Sequence, residues 1–362
     1  MSAPGHTRIP LHAPGAAPSE IWIGRGVLES ADQLLVSPSG RFLLFAAPAA
    51  HAGADPLRRA LGSRLLLDRP VDDREASKTI ETAAGIAGEA LAAGVRRDDA
   101  LIAVGGGVVT DVVGFAAAIL LRGVSWNAVP TTTAGMADAA IGGKTGVNHP
   151  LGKNLLGAFH PPASILIDPA PAATLPERDY RAGLVEAFKA AWVADAALAV
   201  RMERELPALL RRDAGALLGA LEGAVRVKAA IVAEDARDGG RRRLLNFGHT
   251  LGHALEAAGE FRSLKHGEAV AWGIAAALEV SRRRAGLPDA DAKRIRSLLA
   301  ALGPFPPAER DPARLRPLLA RDKKATARGA AAILLSGIGV PTIEEDVSAE
   351  EWLDAAAIMS LS

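Results

Sequence analysis

Short apolar runs and longer helical patterns alternate along the first half of the chain. Residues 20–24 (EIWIG), 41–46 (RFLLFA), 64–68 (RLLLD) and 101–104 (LIAV) read as strands. Stretches 54–62, 75–93 and 108–120 carry their apolar positions at helical spacing. Further strands are predicted at 126–129 and 164–167. Such strand–helix alternation predicts a parallel α/β sheet. The Pro/Ala-rich stretch 168–175 (DPAPAATL) breaks the pattern and marks a boundary. Beyond it helices dominate, at 180–206, 213–236, 249–259, 267–284, 289–302 and 312–320, with one late strand at 331–335. The first 18 residues, rich in Pro, Ala and Gly, read as a flexible leader. The predicted organisation is a leader at 1–18, an α/β domain at 19–172 and a helical domain at 173–362.

Composition narrows the chemistry. The 362 residues include no cysteine, which excludes disulfides, a thiol nucleophile and thiolate metal sites. Any metal must be held by His, Asp or Glu. A net charge of +1 points to neither nucleic acid nor an anionic membrane as partner. The apolar runs at 112–121 and 269–278 are far shorter than the roughly 20 residues of a spanning helix, and a cytoplasmic location is expected. Of the 42 basic residues only nine are Lys, so each lysine merits attention as a compact point charge.

The strand at 101–104 ends in Gly105, Gly106 and Gly107 and opens a helix. That arrangement suits close backbone approach to a phosphate at a helix N-terminus. The plainer reading is a tight strand–helix turn. The dinucleotide fingerprint G-x-G-x-x-G is not met, because position 110 is Thr. IGGKT at 141–145 is not a P-loop, because Asp138 stands where the first Gly is required. Asp138, Lys144, Asn148, Lys153 and Asn154 crowd among glycines in a way that suits a site lining more than a solvated surface.

His249 and His253 lie four apart in NFGHTLGH and share a helix face, and His266 follows in KHGEAVA. Two or three His with a carboxylate from elsewhere suit a divalent metal; the alternative is a set of hydrogen-bonded helix histidines. Glu186 attracts notice beside Lys189 on an apolar helix, where an ordinary i,i+3 ion pair is the competing explanation.

The strings GGGVVTDVVGFAAAILLRGV, PTTTAGMADAAIGGKTGVNHPLGKNLLGAF, LPERDYRAGLVEAFK, LLNFGHTLGHALEA, KHGEAVAWG and RDKK occur in this order. Together they resemble the 3-dehydroquinate synthase family of sugar-phosphate cyclases. The resemblance implies an N-terminal α/β NAD-binding domain and an all-α C-terminal domain, with the active site between them. It implies Zn2+ or Co2+ on Glu186, His249 and His266. It implies NAD held by Glu75, Lys78, Gly106, Gly107, Val108, Asp111, Thr131, Thr132 and Lys153. Substrate contacts fall on Asp138, Lys144, Asn154, Lys189, Lys228, Asp238, Arg242 and His253. Arg122 would reach the phosphate from a neighbouring subunit, hence a homodimer, and Lys323 or Lys324 would also face substrate.

The implied reaction converts 3-deoxy-D-arabino-heptulosonate 7-phosphate to 3-dehydroquinate and phosphate. It proceeds by transient oxidation with NAD, β-elimination, reduction and intramolecular aldol closure. Two departures stand out: Asp238 where the family usually has Glu, and Ala47 near the place of an Asp that bonds the adenosine ribose. Competing readings are another cyclase of secondary metabolism, a polyol dehydrogenase of related fold, and a non-catalytic homologue. The string TGVNHPLGKN favours the dehydroquinate type, and retention of the three ligand residues argues against the last.

Overall fold

Strands β1 (Thr7–Leu11), β2 (Ser19–Ile23), β3 (Phe42–Ala46), β4 (Leu65–Pro70), β5 (Ala100–Gly105), β6 (Ser125–Pro130) and β9 (Ser164–Ile167) form one sheet in the order β1-β2-β9-β6-β5-β3-β4. The structure, a computed structural model, describes residues 5–323 and 332–361. All pairings are parallel except β1 with β2. Every residue of β3 and β5 is buried, as expected for central parallel strands covered on both faces. The glycine loop therefore leaves the carboxyl end of a central strand, the edge where open α/β sheets take ligands.

Three local features differ from the sequence reading. Thr7–Leu11 lies in the stretch read as flexible leader, yet it is an edge strand paired with β2. Ile9 and Leu11 are buried, while Arg8 reaches Glu20 through Nε at 2.7 Å. The signal was hidden because only two apolar residues alternate there, and because Pro10 weakens a strand pattern although an edge tolerates it. The polar stretch after Asp138 folds as an antiparallel hairpin, β7 (Lys144–His149) with β8 (Gly152–Phe159). A Cβ at Gly157 would overlap the Thr145 carbonyl oxygen, so the hairpin needs glycine there. Finally, the helix predicted at 180–206 is two helices, Glu177–Ala194 and Ala196–Leu210. Asp195 breaks it by accepting the Leu198 N–H at 2.9 Å as an N-cap.

The chain forms two compact units. One comprises Met1–Pro176 with Leu217–Arg237; the other comprises Glu177–Ala216 with Asp238–Ser362. The second unit is helical apart from the hairpin of β10 (Ala332–Gly337) and β11 (Val340–Glu344). Its helix Glu177–Ala194 buries thirteen consecutive positions but one at its start, Arg181, through Val193. Among the described residues no helix is long and apolar enough to cross a membrane.

Candidate active site

In the first unit, Gly106 caps the helix Gly107–Ile119 without any side chain. A Cβ on Gly106 would stand 3.0 Å from Thr132 Cγ2, and one on Gly107 would stand 3.3 Å from Ala139 Cβ. The backbone thus comes close to its neighbours, leaving the first helical N–H groups, Val108 included, without intrahelical partners. Thr131 N–H donates to Gly105 O at 3.0 Å, which ties the ends of β5 and β6 together. This is an anion cradle in its donor set and its dipole.

Lys78 is the hub beside that cradle. Its buried ammonium donates to Asp111 Oδ2 at 2.5 Å and to Asn154 Oδ1. Asn154 N–H donates to Asn148 Oδ1 at 3.0 Å, and Asn148 Nδ2 donates to Glu75 Oε1 at 2.8 Å. Lys153 Nζ lies 3.4 Å from the same Glu75 oxygen. Burial pushes the Asp111 carboxyl above its ordinary value, against the opposing pull of Lys78. Lys228 forms a second buried node: its ammonium donates to Asp138 O at 2.5 Å and to the Asp138 carboxylate. Asp138 lies in a single π-turn, Gly135–Ala139, and such turns often mark functional sites.

Lys144 stands exposed at the start of β7. Arg122 is exposed in left-handed backbone, φ +68°, and no hydrogen bond or ion pair among the described residues joins its side chain to this network. Ala47 is buried at the end of β3, where its N–H donates to Val104 O at 2.8 Å. It offers no carboxylate.

In the second unit, one ligand atom each of Glu186, His249 and His266 lies within 4.8 Å of the others. Three helices supply them: Glu177–Ala194, His249–Ala258 and His266–Arg284. Glycines permit this approach. A Cβ on Gly267 would overlap the Ala182 carbonyl, and one on Gly273 would overlap the Gly248 carbonyl. Gly248 itself has φ +80° and caps the helix that begins at His249. Arg178 clamps Glu268 at 2.5 and 2.6 Å, which pins the start of one ligand helix to another. Lys265, without a role in the sequence reading, pairs with Asp179 at 2.9 Å.

Both Glu186 carboxylate oxygens are buried without a hydrogen bond, although Lys189 Nζ lies 2.5 Å away at ion-pair distance. A buried carboxylate with unused lone pairs facing two imidazoles fits a divalent cation in its donor chemistry. His249 Nδ1 lies 3.2 Å from Phe247 O, which leaves Nε2 for a ligand. His253 stands beside the triad, its ring centroid 5.2 Å from that of His249 and 6.2 Å from that of His266. The i,i+4 pair therefore contributes one triad member, not two. Arg242 is buried in the turn Arg241–Asn246, and Asp238 adopts φ +61° just before it. Lys324 lies outside the described residues, as does the side chain of Lys323.

Sequence reasoning missed Glu256. It is buried, and its Oε2 lies 3.1 Å from His266 Nδ1. Desolvation of the inner edge of the His266 ring works against its charge, but Glu256 and then Glu186 outweigh this and hold the imidazole above its ordinary value. The signal was available: in HTLGHALE, Glu256 follows His249 by seven and His253 by three, on one helix face.

Residues 69–182 match the family model described as 3-dehydroquinate synthase N-terminal, and residues 183–325 match 3-dehydroquinate synthase C-terminal. The 3-dehydroquinate synthase of Dichelobacter nodosus (strain VCS1703A) is 42% identical over 298 residues, covering 82% of this chain and 80% of that protein. A 2-epi-5-epi-valiolone synthase from Streptomyces hygroscopicus subsp. jinggangensis 5008, solved with NAD+ and Zn2+ bound, is 31% identical with TM-score 0.84, covering 95% and 97% of the two chains. A 2-deoxy-scyllo-inosose synthase, solved with carbaglucose-6-phosphate, NAD+ and Co2+, is 25% identical with TM-score 0.86, covering 97% and 99%.

Proposed function

The chain belongs to the 3-dehydroquinate synthase family, and from that premise we propose that it converts 3-deoxy-D-arabino-heptulosonate 7-phosphate to 3-dehydroquinate and inorganic phosphate. The observation that carries this reading is the buried Glu186–His249–His266 triad in a chain that matches both halves of that family. Identity to the Dichelobacter enzyme is 42%, against 31% to the valiolone synthase, which favours the dehydroquinate reaction over a cyclase of secondary metabolism.

When bound, NAD supplies a reversible hydride store and a divalent metal supplies polarisation of the reacting oxygen. Glu186, His249 and His266 would hold Zn2+ or Co2+. Gly106, Gly107 and Val108 would cradle the NAD pyrophosphate, with Glu75, Lys78, Asp111, Thr131, Thr132 and Lys153 around it. Lys144, Lys228 and Arg242 supply fixed cations for the phosphate, the carboxylate and the developing enolate. Asp138 orients Lys228 by the bonds described above. Asn154, Lys189, Asp238 and His253 complete the substrate contacts, with Lys323 or Lys324 in addition. Ala47 gives the ribose no acceptor, so NAD affinity below that of an Asp-bearing relative is expected.

The same reading includes a homodimer in which Arg122 serves the neighbouring subunit, and a cytoplasmic location. The β7–β8 hairpin supports self-association, because it exposes Leu151 (79%), Leu155 (59%) and Phe159 (50%).

The test is phosphate release by purified protein with NAD and Zn2+. Phosphate should appear without net NADH, stop with chelator and resume with Zn2+ or Co2+. No phosphate release with NAD and metal both bound would overturn the proposal; NADH accumulating on a simple polyol would favour a dehydrogenase. Lys78→Met should raise the Kd for NADH by roughly tenfold or more, since it removes two charge-assisted hydrogen bonds worth about 1.5–3 kcal/mol each. Fluorescence titration measures this, and an unchanged Kd would take Lys78 out of the cofactor site.

A further inference from the structure

We propose that Glu256 is the positioning residue for the metal ligand His266, fixing its tautomer and ring orientation and thereby setting the metal affinity of the triad. The inference rests on the reading that Glu186, His249 and His266 bind a divalent metal.

The geometry separates the two ring nitrogens of His266. Nδ1 lies 3.1 Å from Glu256 Oε2, and Nε2 lies 3.6 Å from Glu186 Oε1. A proton on Nδ1 donates to Glu256, so the Nε2 lone pair is left on the side of Glu186 and His249. Without an acceptor at Nδ1, the proton is free to sit on Nε2, where it blocks ligation. Glu256 is only 3% exposed, so its carboxylate is held by the helix rather than by solvent. The His266 ring is the opposite case: its side chain is 43% exposed, and packing alone leaves it room to turn.

The two ligand histidines are thus oriented by different means. His249 is the first residue of its helix and uses the backbone oxygen of Phe247, which no side-chain replacement removes. His266 depends on a side chain. The carboxylate also adds negative charge behind the imidazole, which raises its basicity toward a cation, as carboxylate–histidine pairs do in other metal sites. One helix, His249–Ala258, therefore supplies both a ligand and the carboxylate that aims a second ligand on another helix.

Metal affinity is read by competition with a chromophoric chelator, using Zn2+, and by the visible spectrum of the Co2+-loaded protein. Wild type, Glu256→Gln and Glu256→Ala are compared, with far-UV circular dichroism and the thermal midpoint of the chelator-treated proteins as folding controls. Loss of affinity of 10- to 100-fold is expected for Glu256→Ala, with a smaller loss for Glu256→Gln, whose amide oxygen still accepts from Nδ1. The Co2+ spectrum should change in Glu256→Ala. Should Glu256→Ala fail to fold, the isosteric Gln variant decides. Folded variants with wild-type Zn2+ affinity and an unchanged Co2+ spectrum would overturn the proposal. Failure of the wild type itself to bind Zn2+ or Co2+ would overturn the underlying metal reading instead.

Discussion

Glu186→Gln is expected to abolish tight metal binding and to lower phosphate release by on the order of 10³-fold. The rate figure follows from losing several kcal/mol of metal-assisted stabilisation, at tenfold for each 1.36 kcal/mol. The same change should destabilise the metal-free protein. Lys189 is 1% exposed with its ammonium 2.5 Å from the Glu186 carboxylate, and removing that charge from a buried ammonium costs about 3 kcal/mol or more. The two effects separate in the double variant Glu186→Gln/Lys189→Met. Removing both charges should recover most of the lost stability while metal binding stays absent. Thermal melts with chelator, paired with Zn2+ titration, check both. Full metal affinity in Glu186→Gln would take Glu186 out of the site.

Gly273→Ala is expected to cost about 3 kcal/mol or more and to weaken metal binding along with it. The added methyl would overlap the Gly248 carbonyl oxygen, and it would come within 2.9 Å of Gly252 N. Those neighbours are backbone, so no rotamer change relieves the contact. The helices His249–Ala258 and His266–Arg284 must then separate, and each carries one histidine of the triad. Ala at the exposed Gly219, whose Cβ would meet nothing within 4 Å, is the control and should be neutral or stabilising, since Ala favours helix over Gly by about 1 kcal/mol. Equal melting temperatures for Gly273→Ala and wild type would contradict the packing argument.

Some of this was legible in the sequence and some was not. The strand–helix alternation, the Gly105–Gly107 loop and the boundary near residue 172 all announce an α/β unit followed by helices. The strand Thr7–Leu11 did not, because its burial depends on pairing with β2 rather than on its own short pattern. The helix break at Asp195 was marked only by a capping residue inside a continuous apolar rhythm. Residues Leu217–Arg237 look like any other helix in the second half, yet they belong to the first unit, where Lys228 meets Asp138. Spacing also drew His249 and His253 together as a pair. The triad instead joins His249 to residues on two other helices.

By itself, the sequence determined the element types, the glycine cradle, the scarcity of lysine and the family. Those are local or cumulative properties: periodicity, special backbone conformations and long matching strings. The tertiary structure decided which polar groups meet. Lys78 with Asp111 and Asn154, Glu186 with His249 and His266, and Glu256 with His266 all come from distant segments or different elements. The physical reason is that helical and strand periods constrain neighbours only within an element. Contacts between elements depend on how closely the backbones pack. In the second unit that closeness is set by Gly267 and Gly273, where a single methyl group would not fit.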